Sequence, residues 1–159
     1  MIRKATLQDT SRIAEIIVFA KRVSYRPIFN NDFVSFNELQ VIDIIEEYRN
    51  NPTLIDNVIV YDDGILKGIL NRKFEDNNVE LCELYVEPFF KGNGIGRELM
   101  QYLIQEAKMA NKQRIFLWVI KDNLPARRFY EANGFQANGE TCLIEGTSKV
   151  DMRYELMLQ

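Results

Sequence analysis

Lys91-Gly92-Asn93-Gly94-Ile95-Gly96-Arg97 is the stretch on which the reading of this chain turns. It follows Val79 to Val86, which reads as a strand ended by Pro88. It precedes Ile95 to Ala110, where Ile95, Leu99, Leu103 and Ala107, with Met100 and Ile104, recur at helical spacing. Glycine lets the backbone turn sharply and approach a ligand closely. A helix start presents unpaired N–H groups and the positive end of its dipole. A glycine loop in that position suits an anion, and a diphosphate in particular. Lys91 and Arg97 add positive charge.

Three readings share such a loop. One is a ligand-free glycine turn entering a helix. A second is a dinucleotide site, but that needs G-x-G-x-x-G, whereas the spacing here is G-x-G-x-G-R and the preceding strand follows a hairpin. A P-loop would need Gly-Lys-Ser/Thr after the loop, which is lacking. The third is a pyrophosphate site of another kind.

Downstream of the loop, Arg114 to Ile120 is a nearly continuous apolar run, expected as a strand buried on both faces. The strand–helix–strand unit from Val79 to Ile120 requires a parallel pair. Pro125 to Asn133 reads as a short helix with Pro in its first turn and Gly134 after its end. Strands at about 136–144 and 149–158 are expected to close the chain. Upstream, Asn57 to Tyr61 and Leu66 to Leu70 flank Asp62-Asp63-Gly64, a hairpin signal. Thr6 to Lys21 reads as an opening helix capped by Asp9 or Thr10, with Ile13, Ile16, Ile17 and Ala20 as its apolar stripe. Pro27 and Asn30-Asn31-Asp32 mark a loop, and Phe36 to Tyr48 a second helix with Leu39, Ile42, Ile44 and Ile45 on its apolar face. That helix ends before Pro52.

The 159 residues fit one domain over 1–159 with one sizeable core. No apolar run reaches the roughly 18–20 residues of a membrane span. The first residues lack a secretory h-region, and Ile2 stands where myristoylation needs glycine. A cytoplasmic protein with no membrane partner is expected. A net charge of −3 argues against nucleic acid as a partner. Cys82 and Cys142 form neither a disulfide framework nor a metal cluster, so no metal is expected and both thiols are read as packing residues. There is no histidine, which excludes Ser-His-Asp and Cys-His hydrolases and leaves a carboxylate, a water or another less usual group as general base.

Val86-Glu87-Pro88-Phe89-Phe90-Lys91-Gly92-Asn93-Gly94-Ile95-Gly96-Arg97 resembles the acetyl-CoA motif Q/R-x-x-G-x-G/A of the GNAT superfamily of N-acetyltransferases. Gly94 and Gly96 match, and Lys91 replaces the usual Gln or Arg. That exchange keeps a charge but loses the planar guanidinium fork. Asn123-Leu124-Pro125-Ala126-Arg127-Arg128-Phe129-Tyr130-Glu131-Ala132-Asn133-Gly134-Phe135 resembles the family's N-x-x-A-x-x-x-Y-x-x-x-G-F signature at every fixed position. Ile2 to Asp9 is similar to the family's first strand and turn. The resemblance implies an α/β (α+β) GNAT fold: a mixed, mostly antiparallel central sheet with a splayed parallel strand pair, flanked by helices on both faces.

The resemblance also implies roles. Leu84, Tyr85 and Val86 are expected to offer backbone groups to pantetheine and the thioester carbonyl. Lys91, Gly92, Asn93, Gly94, Ile95, Gly96 and Arg97 are expected to hold the pyrophosphate of acetyl-CoA, with Asn123 and Ala126 completing the cofactor site. Tyr130 falls at the general-acid position; a phenol with pKa near 10 can protonate a departing thiolate. Glu80 and Glu83 are candidate bases, and strand alternation puts them on opposite faces. Tyr25 and Phe29, with Arg26 and Phe33, fall in the segment that covers the acceptor in this family. The implied activity is direct acetyl transfer to a primary amine, carried by a small molecule or a peptide. A non-catalytic acyl-CoA-binding module and a protein N-terminal or lysine acetyltransferase remain as alternatives. A homodimer is compatible with the terminal strands.

Overall fold

A computed structural model describes all residues from Met1 to Gln159. Seven strands form one sheet in the order β1-β2-β3-β4-β5-β7-β6. They are β1 (Ile2–Lys4), β2 (Val58–Asp62), β3 (Leu66–Phe74), β4 (Asn78–Val86), β5 (Arg114–Ile120), β6 (Gln136–Leu143) and β7 (Val150–Met157). Four α-helices accompany them: α1 (Thr10–Phe29), α2 (Val41–Asn50), α3 (Ile95–Met109) and α4 (Leu124–Ala132). The sheet is mostly antiparallel, and β4 with β5 is its parallel pair. The crossover through α3 requires that direction.

The residues group into two compact units. The first comprises Met1–Arg72 and Glu83–Leu99, the second Lys73–Cys82 and Met100–Gln159. In the first, Ile13, Ile16 and Ile17 of α1 pack with Tyr48 of α2 and with Val58, Val60, Leu66 and Ile69 of β2 and β3. The expected stripe on α1 is therefore its buried face. In the second, Met100, Leu103, Ala107, Ile115, Leu117, Phe135 and Tyr154 are all buried. The β2–β3 turn is tightened by Asp62, whose Oδ1 accepts the Gly64 N–H at 2.9 Å, while Gly64 takes a φ of 103° that favours glycine.

Several local expectations need correction. α1 begins after a 3-10 turn at Leu7–Asp9 that Thr6 opens, with Asp9 accepting the Thr6 N–H in a capping box; Asp9 stands at the N-cap position of α1 as expected, but its side chain makes no cap hydrogen bond to that helix. α1 then runs through Pro27 to Phe29. Pro27 removes only the N–H that would reach the carbonyl of Val23, and Val23 is exposed to water. The helix stops at Asn30, which adopts the left-handed conformation and donates its N–H to the Arg26 carbonyl at 2.9 Å. The second helix is divided: a π-helical turn at Val34–Glu38, then α2 from Val41. Leu39 lies in the break and Ile42 is exposed, so Ile44 and Tyr48 carry the packing. In β5, Trp118 is exposed while its neighbours are buried. Cys142 is exposed on β6 and is not a packing residue.

Candidate active site

In the first unit, Pro88–Phe90 forms a 3-10 turn between β4 and the glycine loop. Glu87, buried, anchors this turn. Its Oε2 lies 2.9 Å from Arg12 Nη1, and its Oε1 accepts the Phe89 N–H at 3.5 Å. The Glu87 N–H donates to the Lys67 carbonyl at 2.8 Å, and the Lys67 ammonium lies 4.7 Å from the Phe90 ring centroid. Lys91 to Gly94 are exposed, and Gly92 and Gly94 take φ values of 83° and 80°. A side chain at either position would meet open space, so glycine is there for its backbone freedom rather than for room.

Gly94 accepts the Glu98 N–H at 3.0 Å. Gly94 is thus the residue preceding α3, and the N–H groups of Ile95, Gly96 and Arg97 have no partner within the helix. Gly96 belongs to the first turn of α3 rather than to the loop, and its φ is not positive. Lys91 and Arg97 are exposed at this helix start. Free N–H groups, the helix dipole and two cations together fit a diphosphate.

Glu83 and Asn71 come together in the same unit: Asn71 Nδ2 donates to Glu83 Oε1 at 3.1 Å. Tyr48 lies close enough that the charge of Glu83 acts on it. Burial first, and then the charges of Glu83 and Glu47, push its phenol pKa well above the ordinary value. Tyr25 of α1 and Tyr85 of β4 meet through their hydroxyls at 3.0 Å. Tyr25 also makes an edge contact with Phe29, at 6.2 Å between ring centroids. Arg26 and Phe33, expected beside them, are exposed, and Arg26 is tied to Asp32 at 2.7 Å. Tyr25 thus meets Tyr85, and Phe29 meets Tyr25.

In the second unit, β4 and β5 pair through Asn78↔Arg114, Val79↔Ile115 and Glu80↔Phe116, and the pairing is not continued at Leu81 and Leu117. Glu80 is therefore beside Phe116, whose ring carries the Arg153 guanidinium at 4.0 Å. Val79 and Leu81 are buried and Glu80 is half-buried, the alternation expected of a regular strand. Asn123 caps α4, with its Oδ1 accepting the Ala126 N–H at 3.4 Å. That contact leaves the Asn123 amide N–H groups for a ligand. The Tyr130 ring contacts Phe129 and Phe135 edge-on at 5.5 and 5.9 Å.

A set of residues beyond the sequence motifs holds α4 in place. Arg127 Nε donates to the Tyr154 hydroxyl at 2.9 Å, and that hydroxyl donates to Glu131 Oε1 at 2.8 Å. Arg127 also donates to the Lys121 carbonyl at 3.0 Å. Arg127 and Glu131 bracket Tyr130 on the helix, so this network fixes the turn that carries the tyrosine.

The family model of the Acetyltransferase (GNAT) family matches residues 22–135. The chain belongs to that family. It is 34% identical over 77 residues to a spermine/spermidine N(1)-acetyltransferase of Bacillus subtilis, a match covering 46% of this chain and 51% of that protein. The chain thus spans about half the length of the curated relatives it matches first. Among solved structures, the PaiA N-acetyltransferase of Thermoplasma acidophilum, in complex with coenzyme A, is similar with a TM-score of 0.76 at 21% identity, over 99% of this chain and 98% of that one. The yncA structure from Salmonella typhimurium, which holds acetyl-CoA, has a TM-score of 0.71 at 23% identity over 100% and 94%. At these identities the two structures establish the shared fold. No helix of the chain is long and apolar enough to cross a membrane.

Proposed function

We propose that the chain transfers the acetyl group of acetyl-CoA to a primary amine by direct attack in a ternary complex. The observation that carries this reading is the end of β4–β5 pairing at Glu80 and Phe116, on a strand that leads through a 3-10 turn into a glycine loop with free helix N–H groups. A strand released from its neighbour has backbone groups to offer, and Leu84, Tyr85 and Val86 are the stretch nearest the loop. Ile95, Gly96 and Arg97 hold the pyrophosphate through their N–H groups, with Gly92 and Gly94 giving the loop its shape and Lys91 and Asn93 lying at its exposed edge. Asn123, beside Ala126, contributes a side-chain N–H to the cofactor.

Acetyl-CoA supplies an activated thioester when bound. The chain's own groups then manage two protons. Glu83 receives the proton of the attacking amine, and Tyr130 holds a phenolic proton for the departing sulfur. Glu83 is favoured over Glu80 because it shares a face with Tyr48 and Asn71, whereas Glu80 lies beside Phe116 and Arg153. Tyr25 and Phe29 border the amine's approach. The similarity to a spermine/spermidine acetyltransferase makes a polyamine the first acceptor to try.

Initial rates with acetyl-CoA and spermidine varied together test the reading. Intersecting double-reciprocal lines are expected for a ternary complex. Parallel lines, or an acetylated enzyme detected by mass, would contradict it.

A further inference from the structure

Asn71 lies mid-strand in β3, two residues after Ile69 and opposite Val58, both fully buried. Asparagine is disfavoured in strands, yet here it stands beside two fully buried hydrophobic neighbours. Its amide donates to Glu83 Oε1 at 3.1 Å, while its own Oδ1 is buried and accepts nothing. Leaving a buried oxygen unpaired is unfavourable, so something else must hold the residue in place. Turning the amide over would set that oxygen against a carboxylate oxygen, so the contact with Glu83 fixes the amide's orientation. Glu83 Oε2 makes no hydrogen bond or ion pair within the protein. The arrangement therefore holds one carboxylate oxygen and leaves the other to a ligand.

We propose that Asn71 is a positioning residue for acetyl transfer: it pins the Glu83 carboxylate so that Oε2 meets the incoming amine. The proposal rests on the role assigned to Glu83 above. A glutamate has three rotatable side-chain bonds, and ordering them in advance removes an entropy cost from the reactive complex. The residue acts through Glu83 and has no proton of its own to exchange.

The test is a double-mutant cycle of Asn71→Leu and Glu83→Gln, read as kcat/KM with acetyl-CoA and spermidine, with Asn71→Asp as a third variant. Asn71→Leu is expected to lower kcat/KM about tenfold alone, and less than about twofold when Glu83 is already Gln. Asn71→Asp is expected to move the acid limb of the pH–rate profile upward, because two carboxylates at this distance share a proton. Equal losses in both backgrounds, or an unmoved acid limb, would overturn the proposal. A wild-type chain that releases no CoA with any amine defeats the reading of the whole site, an outcome distinct from an additive cycle in an active enzyme.

Discussion

The hydroxyls of Tyr25 and Tyr85 lie 3.0 Å apart and join α1 to the last part of β4. Either phenol can donate, so the pair adapts to a ligand that takes one of the two hydrogen bonds. Tyr25→Phe should raise KM for the acceptor amine about three- to tenfold, the range of one neutral hydrogen bond. KM for acetyl-CoA should stay unchanged. Steady-state kinetics with each substrate varied in turn check this split.

Tyr130→Phe removes one oxygen and keeps the ring contacts with Phe129 and Phe135. Turnover should fall about 10²-fold or more, the usual scale of lost general-acid catalysis. CoA affinity, measured by calorimetry, should be unaltered. A wild-type rate in this variant would remove Tyr130 from the chemistry.

Arg12→Met should destabilise the chain through Glu87. That carboxylate is buried, and the variant leaves it without its cation. Loss of one partner of a fully buried pair costs about 3–5 kcal/mol, and about 2 is expected here because Arg12 is partly open to solvent. The glycine loop follows this turn, so CoA affinity should fall as well. Chemical denaturation and calorimetry measure the two effects.

Acid should weaken the fold through Arg3. Its guanidinium bonds to both Asp9 and Asp62 at 2.8 Å and holds the pKa values of both carboxyls below their ordinary range. Depressed folded-state values mean that this stability is complete above about pH 4, the unfolded carboxylate value, and is lost as pH falls below it. Arg3→Met should flatten the decline in unfolding free energy below pH 4. An unchanged slope would show that these carboxyls do not govern acid unfolding.

Much of the fold was legible because its signals were local. Arg114–Ile120 coincides with β5, since a central strand is written as an apolar run, although Trp118 within it is exposed. α3 and α4 were readable from apolar spacing and from Pro125 and Gly134. The end of α1 was not, because a proline near a helix end costs little when the freed carbonyl faces water, and Pro27 was read as a break. The π-helical turn before α2 has no periodic signature. In the site, the glycine loop and Tyr130 stood out as motifs. Asn71 with Glu83, and Arg127 with Tyr154 and Glu131, did not, because their partners meet only after the sheet has formed.

Acetyl transfer from acetyl-CoA to a primary amine releases one CoA thiol for each amine acetylated. The most direct measurement follows CoA thiol release across a panel of primary amines that includes spermidine, with the acetylated product quantified by mass spectrometry. Amine-dependent release with one acetylated amine formed per CoA is expected, with loss of both in Tyr130→Phe. Tight acetyl-CoA binding with no release for any amine would contradict it and identify a binding module instead.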